Sequence, residues 1–255
     1  MKMRMGERDL AYQIYGSGKA LVLLHAFPFD GRMWKATAEA LADRVRVIVP
    51  DLRGFGGSDL GGGEVSIAGM ADDTAALLDH LGVARATVGG LSMGGYVTLA
   101  FAARHPGRLD GLILADTRAA ADSEKARAGR AATLALVEAQ GVAAYLERQL
   151  AALLSPSASE TVRAQVRDLG RQSAAGVCAG IRALRDRPDR QAELAAIACP
   201  TLVIAGTADS LSPLDEMTAM AGRIRGARLV PIPGAGHLSN LERPAEFAAA
   251  IRDFL

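Results

Sequence analysis

One serine of the chain lies within a cluster of glycines, in the segment VGGLSMGGYV that spans residues 88–97. Ser92 has Gly90 two positions before it and Gly94 two positions after it, which is the pattern G-x-S-x-G. An apolar run precedes this segment and a helical pattern follows it, so a sharp strand-to-helix turn is predicted. A serine hydroxyl exposed on such a turn can act as a nucleophile. The same glycines could also form an ordinary connection that contains a serine by accident.

A serine nucleophile needs a neighbouring base, and the chain contains four histidines. His80 and His105 lie toward the ends of predicted helices, where a surface or helix-terminal role is expected. His25 ends a predicted strand, and His237 lies in a glycine-rich loop between the last predicted strand and the last predicted helix. This position makes His237 the predicted general base, although an isolated histidine in a loop often has no catalytic role.

A catalytic histidine is held in turn by a carboxylate, and two aspartates follow predicted strands at suitable places. Asp209 lies in the turn after residues 200–206, and Asp116 ends the strand before it. Asp209 could also serve only to cap the helix predicted at 213–224. We predict Asp209 as the orienting acid because it follows the later strand, as the chain order Ser…Asp…His requires.

Acyl transfer also needs N–H donors for the negative oxygen that develops on the carbonyl group. The Met93 N–H follows the serine at the start of a predicted helix. The loop HAFPFDGRMW can supply a second donor, the Phe27 N–H. In the alternative interpretation this loop is a plain strand-to-helix turn, with Pro28 and Gly31 as its helix-breaking residues.

Alternating strands and helices must position these residues. Continuous apolar runs predict parallel strands buried on both faces, at residues 9–15, 20–26, 44–50, 84–90, 109–115, 200–206 and 227–233. Helical periodicity predicts helices near residues 33–42, 66–81, 93–104, 213–224 and 242–254. This alternation predicts an α/β fold with a doubly wound, mostly parallel sheet. Ligands bind at the carboxyl ends of such strands, where the candidate residues occur.

The alternation stops after residue 116, and the following stretch shows several helices and no strand. We predict a helical cap at residues 117–195, inserted into a core made of residues 1–116 and 196–255. Ser157 and Glu160 have the spacing of a capping box, which predicts the start of a helix within this insertion.

Composition excludes several other functions. Half of the 255 residues are apolar and the formal net charge is +1, which argues against a nucleic-acid or membrane partner. The two cysteines lack the spacing of a disulfide framework or a metal site, so no metal and no cofactor are expected. No segment resembles a secretory signal or a membrane span, so a cytoplasmic location is expected.

Five motifs in this order resemble those of the serine α/β-hydrolase superfamily. They are HAFP for the oxyanion loop, PDLRGFGGSD for the following loop, GLSMGG for the nucleophile turn, AGTADSLSP for the acid loop and GAGHLSNLERP for the histidine loop. Within the superfamily the sequence is most similar to small esterases, enol-lactonases and cofactor-free haloperoxidases or perhydrolases. The resemblance implies that Ser92 is the nucleophile, His237 the base and then the acid, and Asp209 the orienting carboxylate.

The resemblance also assigns roles around the triad. It implies that Phe27 and Met93 donate their backbone N–H groups to the oxyanion, and that His25 supports the oxyanion loop by hydrogen bonding. It implies structural roles in a loop for three further residues, which are Asp51, Arg53 and Ser58. Ala26 stands where the superfamily usually has glycine, so this loop either has an ordinary backbone conformation or a reshaped oxyanion hole.

The expected activity is hydrolysis of a small to medium carboxylic ester or lactone through an acyl-enzyme, by a monomer or a homodimer. Two alternatives use the same residues: a perhydrolase or haloperoxidase without a cofactor, and a hydrolase-like ligand receptor. The candidate pocket residues are His25, Phe29, Trp34 and Tyr145, each of which could equally pack in the core or the cap.

Overall fold

The computed structural model of the protein describes residues 1–255 and contains one sheet of eight strands. The strands are β1 (Lys2–Met5), β2 (Arg8–Tyr15), β3 (Ala20–Leu24), β4 (Arg46–Pro50), β5 (Ala86–Leu91), β6 (Leu109–Ala115), β7 (Thr201–Gly206) and β8 (Arg228–Ile232). Their order across the sheet is β1-β2-β4-β3-β5-β6-β7-β8. Only the β1–β2 and β2–β4 pairs are antiparallel, so the sheet is mostly parallel, as predicted.

Nine α-helices accompany the sheet. They are α1 (Lys35–Leu41), α2 (Ile67–His80), α3 (Met93–Arg104), α4 (Glu124–Leu153), α5 (Glu160–Leu169), α6 (Ala174–Arg185), α7 (Leu214–Gly222), α8 (Ser239–Glu242) and α9 (Pro244–Arg252). Helices α4 to α6 lie between β6 and β7 in the chain, which confirms the predicted helical insertion. Helix α4 is broken at Gly141, whose φ is 82°.

Two apolar clusters cover the two faces of the sheet. Leu21 and Leu23 of β3 belong to one cluster, and Val22 and Leu24 belong to the other. Alternate residues of a strand point to opposite faces, so this division places apolar side chains on both sides of β3. Burial on both faces is the reason why the strand sequences are continuous apolar runs rather than alternating ones.

Two local features differ from the sequence predictions. Strand β1 was not predicted because its segment KMRM alternates charged and apolar residues and pairs only at the sheet edge. The helix predicted from Ser157 begins instead at Glu160, with Ser159 as the capping residue that accepts the Val162 N–H. Ser157 cannot cap it because a turn formed by the Ala158 N–H and the Ser155 carbonyl precedes the helix.

The turn between β5 and α3 requires glycine because two backbones meet there. A Cβ atom on Gly90 would overlap the carbonyl group of Gly94, and one on Gly94 would overlap the carbonyl oxygen of Leu24 in β3. Helix α3 therefore begins in direct contact with the carboxyl ends of β3 and β5. The glycines around Ser92 thus allow a close approach that any larger residue would prevent.

This contact predicts that Gly94→Ala destabilises the protein by about 3 kcal/mol or more, because the added methyl group must push rigid backbone aside. Gly129→Ala is the matched control, since Gly129 lies exposed in α4 and a methyl group added there would have nothing within 4 Å of it. That control should gain about 0.5 to 1 kcal/mol from the higher helix propensity of alanine. Urea unfolding measures both changes, and equal stabilities of the two variants would contradict the steric argument.

Candidate active site

The predicted site residues lie in loops at one edge of the sheet. Strands β3, β5, β6, β7 and β8 are parallel neighbours, so their carboxyl ends share that edge. Phe27 follows β3, Ser92 follows β5, Asp116 follows β6, Asp209 follows β7 and His237 follows β8. This edge is the expected position for a ligand site in an open α/β sheet.

Ser92 has a backbone conformation that is rare for a residue with a side chain. Its φ is 55° and its ψ is −114°, which costs about 1 to 3 kcal/mol. The surrounding backbone compensates: the Ser92 N–H donates to the Ala115 carbonyl at 3.0 Å, and the Ser92 carbonyl accepts from Thr117 Oγ1 at 2.8 Å and the Tyr96 N–H at 3.1 Å. Ser92 is partly exposed, and its hydroxyl makes no hydrogen bond within the protein.

His237 and Asp209 form a buried hydrogen-bonded pair. His237 Nδ1 lies 2.8 Å from Asp209 Oδ2, and Asp209 Oδ1 accepts the N–H groups of Leu211 and Ser212. Burial alone would raise the pKa of the Asp209 carboxyl, but the hydrogen bonds from His237 and the two backbone N–H groups lower it overall. The carboxylate therefore stays ionised and accepts a hydrogen bond from the Nδ1–H group. The other ring nitrogen, Nε2, is left as a proton acceptor.

Asp116, the alternative acid, interacts electrostatically with this pair but forms no hydrogen bond with the histidine. Its Oδ1 accepts the Gly206 N–H at 2.7 Å, and its Oδ2 accepts the hydroxyl of Ser239. Complete burial, reinforced by the charge of Asp209, raises the pKa of Asp116 to about 7, although the charge of His237 acts to lower it. Asp116 thus joins the loop that carries Asp209 to the loop that carries His237.

Sequence reasoning missed this linking role and did not identify Ser239 at all. Ser239 follows His237 by two positions, within the quoted segment GAGHLSNLERP. A polar residue that begins a short helix in this segment was the available signal, but its partner lies 123 residues away in the sequence. Only the structure shows that pairing.

The two candidate oxyanion donors lie on adjacent strand ends. Leu24 of β3 pairs with Gly90 of β5, so the segments that follow these residues lie side by side. The Phe27 N–H makes no hydrogen bond within the protein. The Met93 N–H is the first of helix α3 and has no acceptor within the helix. Both N–H groups thus remain free to donate to a ligand.

The alanine in the oxyanion loop has an ordinary conformation. Ala26 is fully buried and does not have a positive φ, and its N–H donates to Met33 Sδ at 3.2 Å. The glycine that the superfamily usually has is therefore not needed here for backbone freedom.

His25 has no nitrogen available for a ligand. Its Nδ1 lies 2.9 Å from the Ala26 carbonyl, and its Nε2 accepts the Leu52 N–H at 2.9 Å. Burial is the largest influence on the His25 ring and lowers its pKa, so the ring is neutral. It links the oxyanion loop to the loop after β4.

The loop after β4 is held by the residues that the resemblance assigned to it. The Asp51 carboxylate accepts two backbone N–H groups of neighbouring segments at 2.8 Å each. The Ser58 hydroxyl donates to the Asp51 carbonyl at 2.6 Å. Arg53 forms an ion pair with Asp73, a buried residue of α2. These contacts are all structural.

The four candidate pocket residues do not lie together. Phe29 and Trp34 are fully buried, and Trp34 packs against Phe247 of α9 with a ring separation of 5.7 Å. They belong to the apolar cluster on one face of the sheet, whereas Tyr145 belongs to the cluster on the other face. The turn at residues 31–34 directs Trp34 toward α9.

Tyr145 contacts the oxyanion loop from the insertion. Its ring lies 5.9 Å from that of Phe27, which packs edge-on against Phe55 at 5.9 Å. A Cβ atom on Gly180 of α6 would lie 2.9 Å from the Phe27 ring. Burial raises the pKa of Tyr145 to about 12, so its hydroxyl is protonated. The insertion therefore supplies an apolar wall beside Phe27.

Two further features bear on other kinds of function. The protein contains no group of three or more His, Cys, Asp or Glu side chains that could hold a metal ion. None of its helices has both the length and the apolar composition that a bilayer-spanning segment needs.

Comparison with known proteins identifies the family. The family model for the alpha/beta hydrolase fold matches residues 19–244. The chain therefore belongs to the α/β-hydrolase superfamily and is a hydrolase of that fold.

Similar proteins include an esterase and a lactonase. The structure of a thermophilic esterase from Thermogutta terrifontis, with malate bound, superimposes with a TM-score of 0.95 at 42% identity, covering 99% of this chain and 96% of the esterase. The 3-oxoadipate enol-lactonase 2 of Acinetobacter baylyi is 30% identical over 248 residues, which are 95% of this chain and 91% of the lactonase. RutD of Caulobacter sp. (strain K31), named for an inferred carbamate hydrolase activity, is 33% identical over 99% of this chain and 98% of its own length.

The raised pKa of Asp116 predicts a specific pH dependence of stability. Its pKa is about 7 in the folded protein and near the ordinary value of 3.8 in the unfolded chain. At pH values between these two pKa values, the folded state therefore binds more protons than the unfolded state. The contribution of Asp116 to the free energy of unfolding thus falls as the pH rises from about 4 to 7. Asp116→Asn cannot ionise, and its amide can still accept from Gly206 and donate to Ser239.

The free energy of unfolding of Asp116→Asn should therefore rise relative to wild type across this window, by on the order of 4 kcal/mol. Urea unfolding at several pH values measures the difference. Asp110→Asn, which removes an exposed carboxylate of β6, the strand that Asp116 follows, is the control and should follow the wild-type curve. Parallel curves for wild type and Asp116→Asn would show that Asp116 is ionised throughout.

Proposed function

We propose that the protein hydrolyses small to medium carboxylic esters or lactones through an acyl-enzyme on Ser92. The observation that carries this proposal is the position of the Ser92 hydroxyl. It is partly exposed on a strained turn, at the edge of the sheet where the buried His237–Asp209 pair lies. The names of the esterase and enol-lactonase relatives support this substrate class.

The first half of the reaction forms the acyl-enzyme. Ser92 Oγ attacks the substrate carbonyl carbon while His237 Nε2 takes the hydroxyl proton. Asp209 keeps the imidazole oriented and stabilises the positive charge that it gains. The N–H groups of Phe27 and Met93 donate to the carbonyl oxygen as it becomes negative. His237 then gives its proton to the leaving alcohol, and the carbon–oxygen bond to that alcohol breaks.

The second half releases the acid. Water attacks the acyl carbon while His237 Nε2 takes one of its protons, and the bond to Ser92 Oγ breaks as this proton passes to the serine. For a lactone, the leaving alcohol remains attached to the acyl group and leaves with it. Water and the protein's own side chains and backbone supply every proton acceptor and donor in this scheme, so it requires no cofactor.

The apolar wall formed by Phe27 and Tyr145 supports an uncharged acyl chain of limited length. Both rings are buried and lie beside the proposed oxyanion donor. An acyl chain that packs on them gains transfer free energy with each buried methylene, about 0.8 kcal/mol, until the wall ends.

Ser92→Ala should lower the turnover of p-nitrophenyl esters, tested from acetate to octanoate, by about 10⁴-fold or more. Wild-type turnover should peak at one chain length, which measures the acyl pocket. Ser17→Ala, at an exposed loop serine, is the control and should keep wild-type rates. A Ser92→Ala protein that retains about a tenth or more of the wild-type turnover would rule out the acyl-enzyme.

Asp209→Asn should lower kcat by about 10³- to 10⁴-fold, because an amide cannot stabilise the charged imidazole and favours the wrong tautomer. Asp116→Asn should lower kcat by less than about tenfold, since Asp116 forms no hydrogen bond with His237. The same ester assay compares the two. An equal fall of kcat in both variants would instead show that Asp116 shares the role of orienting carboxylate with Asp209.

A further inference from the structure

The loop that carries His237 is attached to the insertion on both sides of the histidine. On one side, the Leu238 N–H donates to the Leu153 carbonyl at the end of α4, at 3.1 Å. On the other side, the Gly236 N–H donates to Glu242 Oε1 at 2.9 Å. The same Glu242 carboxylate accepts the N–H and the hydroxyl of Ser155, the second residue after α4.

Glu242 is therefore a buried carboxylate shared by two chain segments. It forms no ion pair with an arginine, lysine or histidine, and its charge is balanced by N–H and O–H donors alone. A buried carboxylate persists only where such donors are held in place, because its desolvation is otherwise costly. The donors and the carboxylate thus fix the geometry of both segments.

The close approach at Gly236 supports the same conclusion. A Cβ atom on Gly236 would lie 2.5 Å from the Ser155 nitrogen, 2.7 Å from the Leu154 carbonyl carbon and 2.8 Å from Glu242 Oε1. The residue before His237 is therefore packed directly against the insertion. Helix α8, which begins after the histidine, has no side-chain cap, so the Ser239–Asp116 hydrogen bond and the contacts of Glu242 hold this segment.

We propose that Glu242 is a positioning residue: by fastening Gly236 to Ser155, it holds His237 in hydrogen-bonding register with Asp209. This rests on the proposed function, in which His237 is the base. The insertion then not only lines the substrate site but also sets the position of the catalytic histidine, through its segment 153–155. A change that releases Glu242 lowers the rate of the chemical step and leaves substrate binding nearly intact.

The test compares Glu242→Ala with Glu242→Gln. The alanine variant leaves the Gly236 N–H and both Ser155 donors without their acceptor. The glutamine variant keeps an oxygen for the two N–H groups, and its amide can donate to the Ser155 hydroxyl. Glu246→Ala, at an exposed residue of α9, is the matched control.

Two measurements are made on each variant. The first is kcat and KM for the p-nitrophenyl ester that the wild type hydrolyses fastest. The concentration of active sites is titrated with an organophosphate, so that a misfolded fraction does not lower the apparent kcat. Glu242→Ala should lower kcat by about tenfold or more with KM changed less than about twofold. Glu242→Gln should recover most of kcat, and Glu246→Ala should match wild type.

The second measurement is the downfield proton resonance of the His237 Nδ1–H···Asp209 hydrogen bond. It should shift or broaden in Glu242→Ala and stay near its wild-type position in Glu242→Gln. This readout does not depend on turnover, so it decides the positioning role even if the wild-type protein hydrolyses no ester and the proposed function fails. An unchanged resonance in Glu242→Ala overturns the proposal. So does a fall in kcat in Glu242→Gln that equals the fall in Glu242→Ala.

Ser155→Ala covers the case in which Glu242→Ala does not fold. It removes only the hydroxyl donor from the insertion side and keeps the carboxylate satisfied by two N–H groups. It should lower kcat by about threefold and shift the same resonance in the same direction. Wild-type kcat together with an unshifted resonance in Ser155→Ala would also overturn the proposal.

Discussion

The structure depends most on keeping one ionised carboxylate, that of Asp209, buried beside a histidine. Such a charge is stable only with several well-placed donors, and Asp209 has three: His237 Nδ1–H and the N–H groups of Leu211 and Ser212. The loops after β7 and β8 must therefore meet with little freedom. Burial raises the pKa of a second carboxyl nearby, that of Asp116, to about 7, and the charge of Asp209 acts in the same direction.

The fold was predictable because its five central strands, β3 to β7, are buried on both faces and so stand out as continuous apolar runs. All seven predicted strands occur, with ends that differ by a few residues. The edge strand β1 escaped prediction because an edge pairs on one side only and needs no apolar run. The start of α5 was misplaced at Ser157 because a local turn from Ser155 to Ala158 precedes the helix and leaves Ser159 as its capping residue.

The chain order of the candidate site could also be read from the sequence, since each residue directly follows a strand and carries a distinctive motif. The residues that line the pocket could not be identified from the sequence. Phe29, Trp34 and Tyr145 are similar as aromatic residues, but the path of the backbone sends the first two into the core under α9 and the third toward Phe27. Glu242 was equally hidden, because its partner Ser155 is 87 residues away in the sequence.

The break at Gly141 divides α4 into two parts that differ in their connection to the histidine loop. The part after the break leads into residues 153–155, which are bonded to the histidine loop, so substitutions there act on the position of that loop. The part before it, residues 124–140, has no such bond to that loop. Selection for new substrates can therefore remodel this first half at little cost to the chemical step. In evolutionary terms, the glycine separates a half of α4 that is free to change from a half that is tied to the histidine loop.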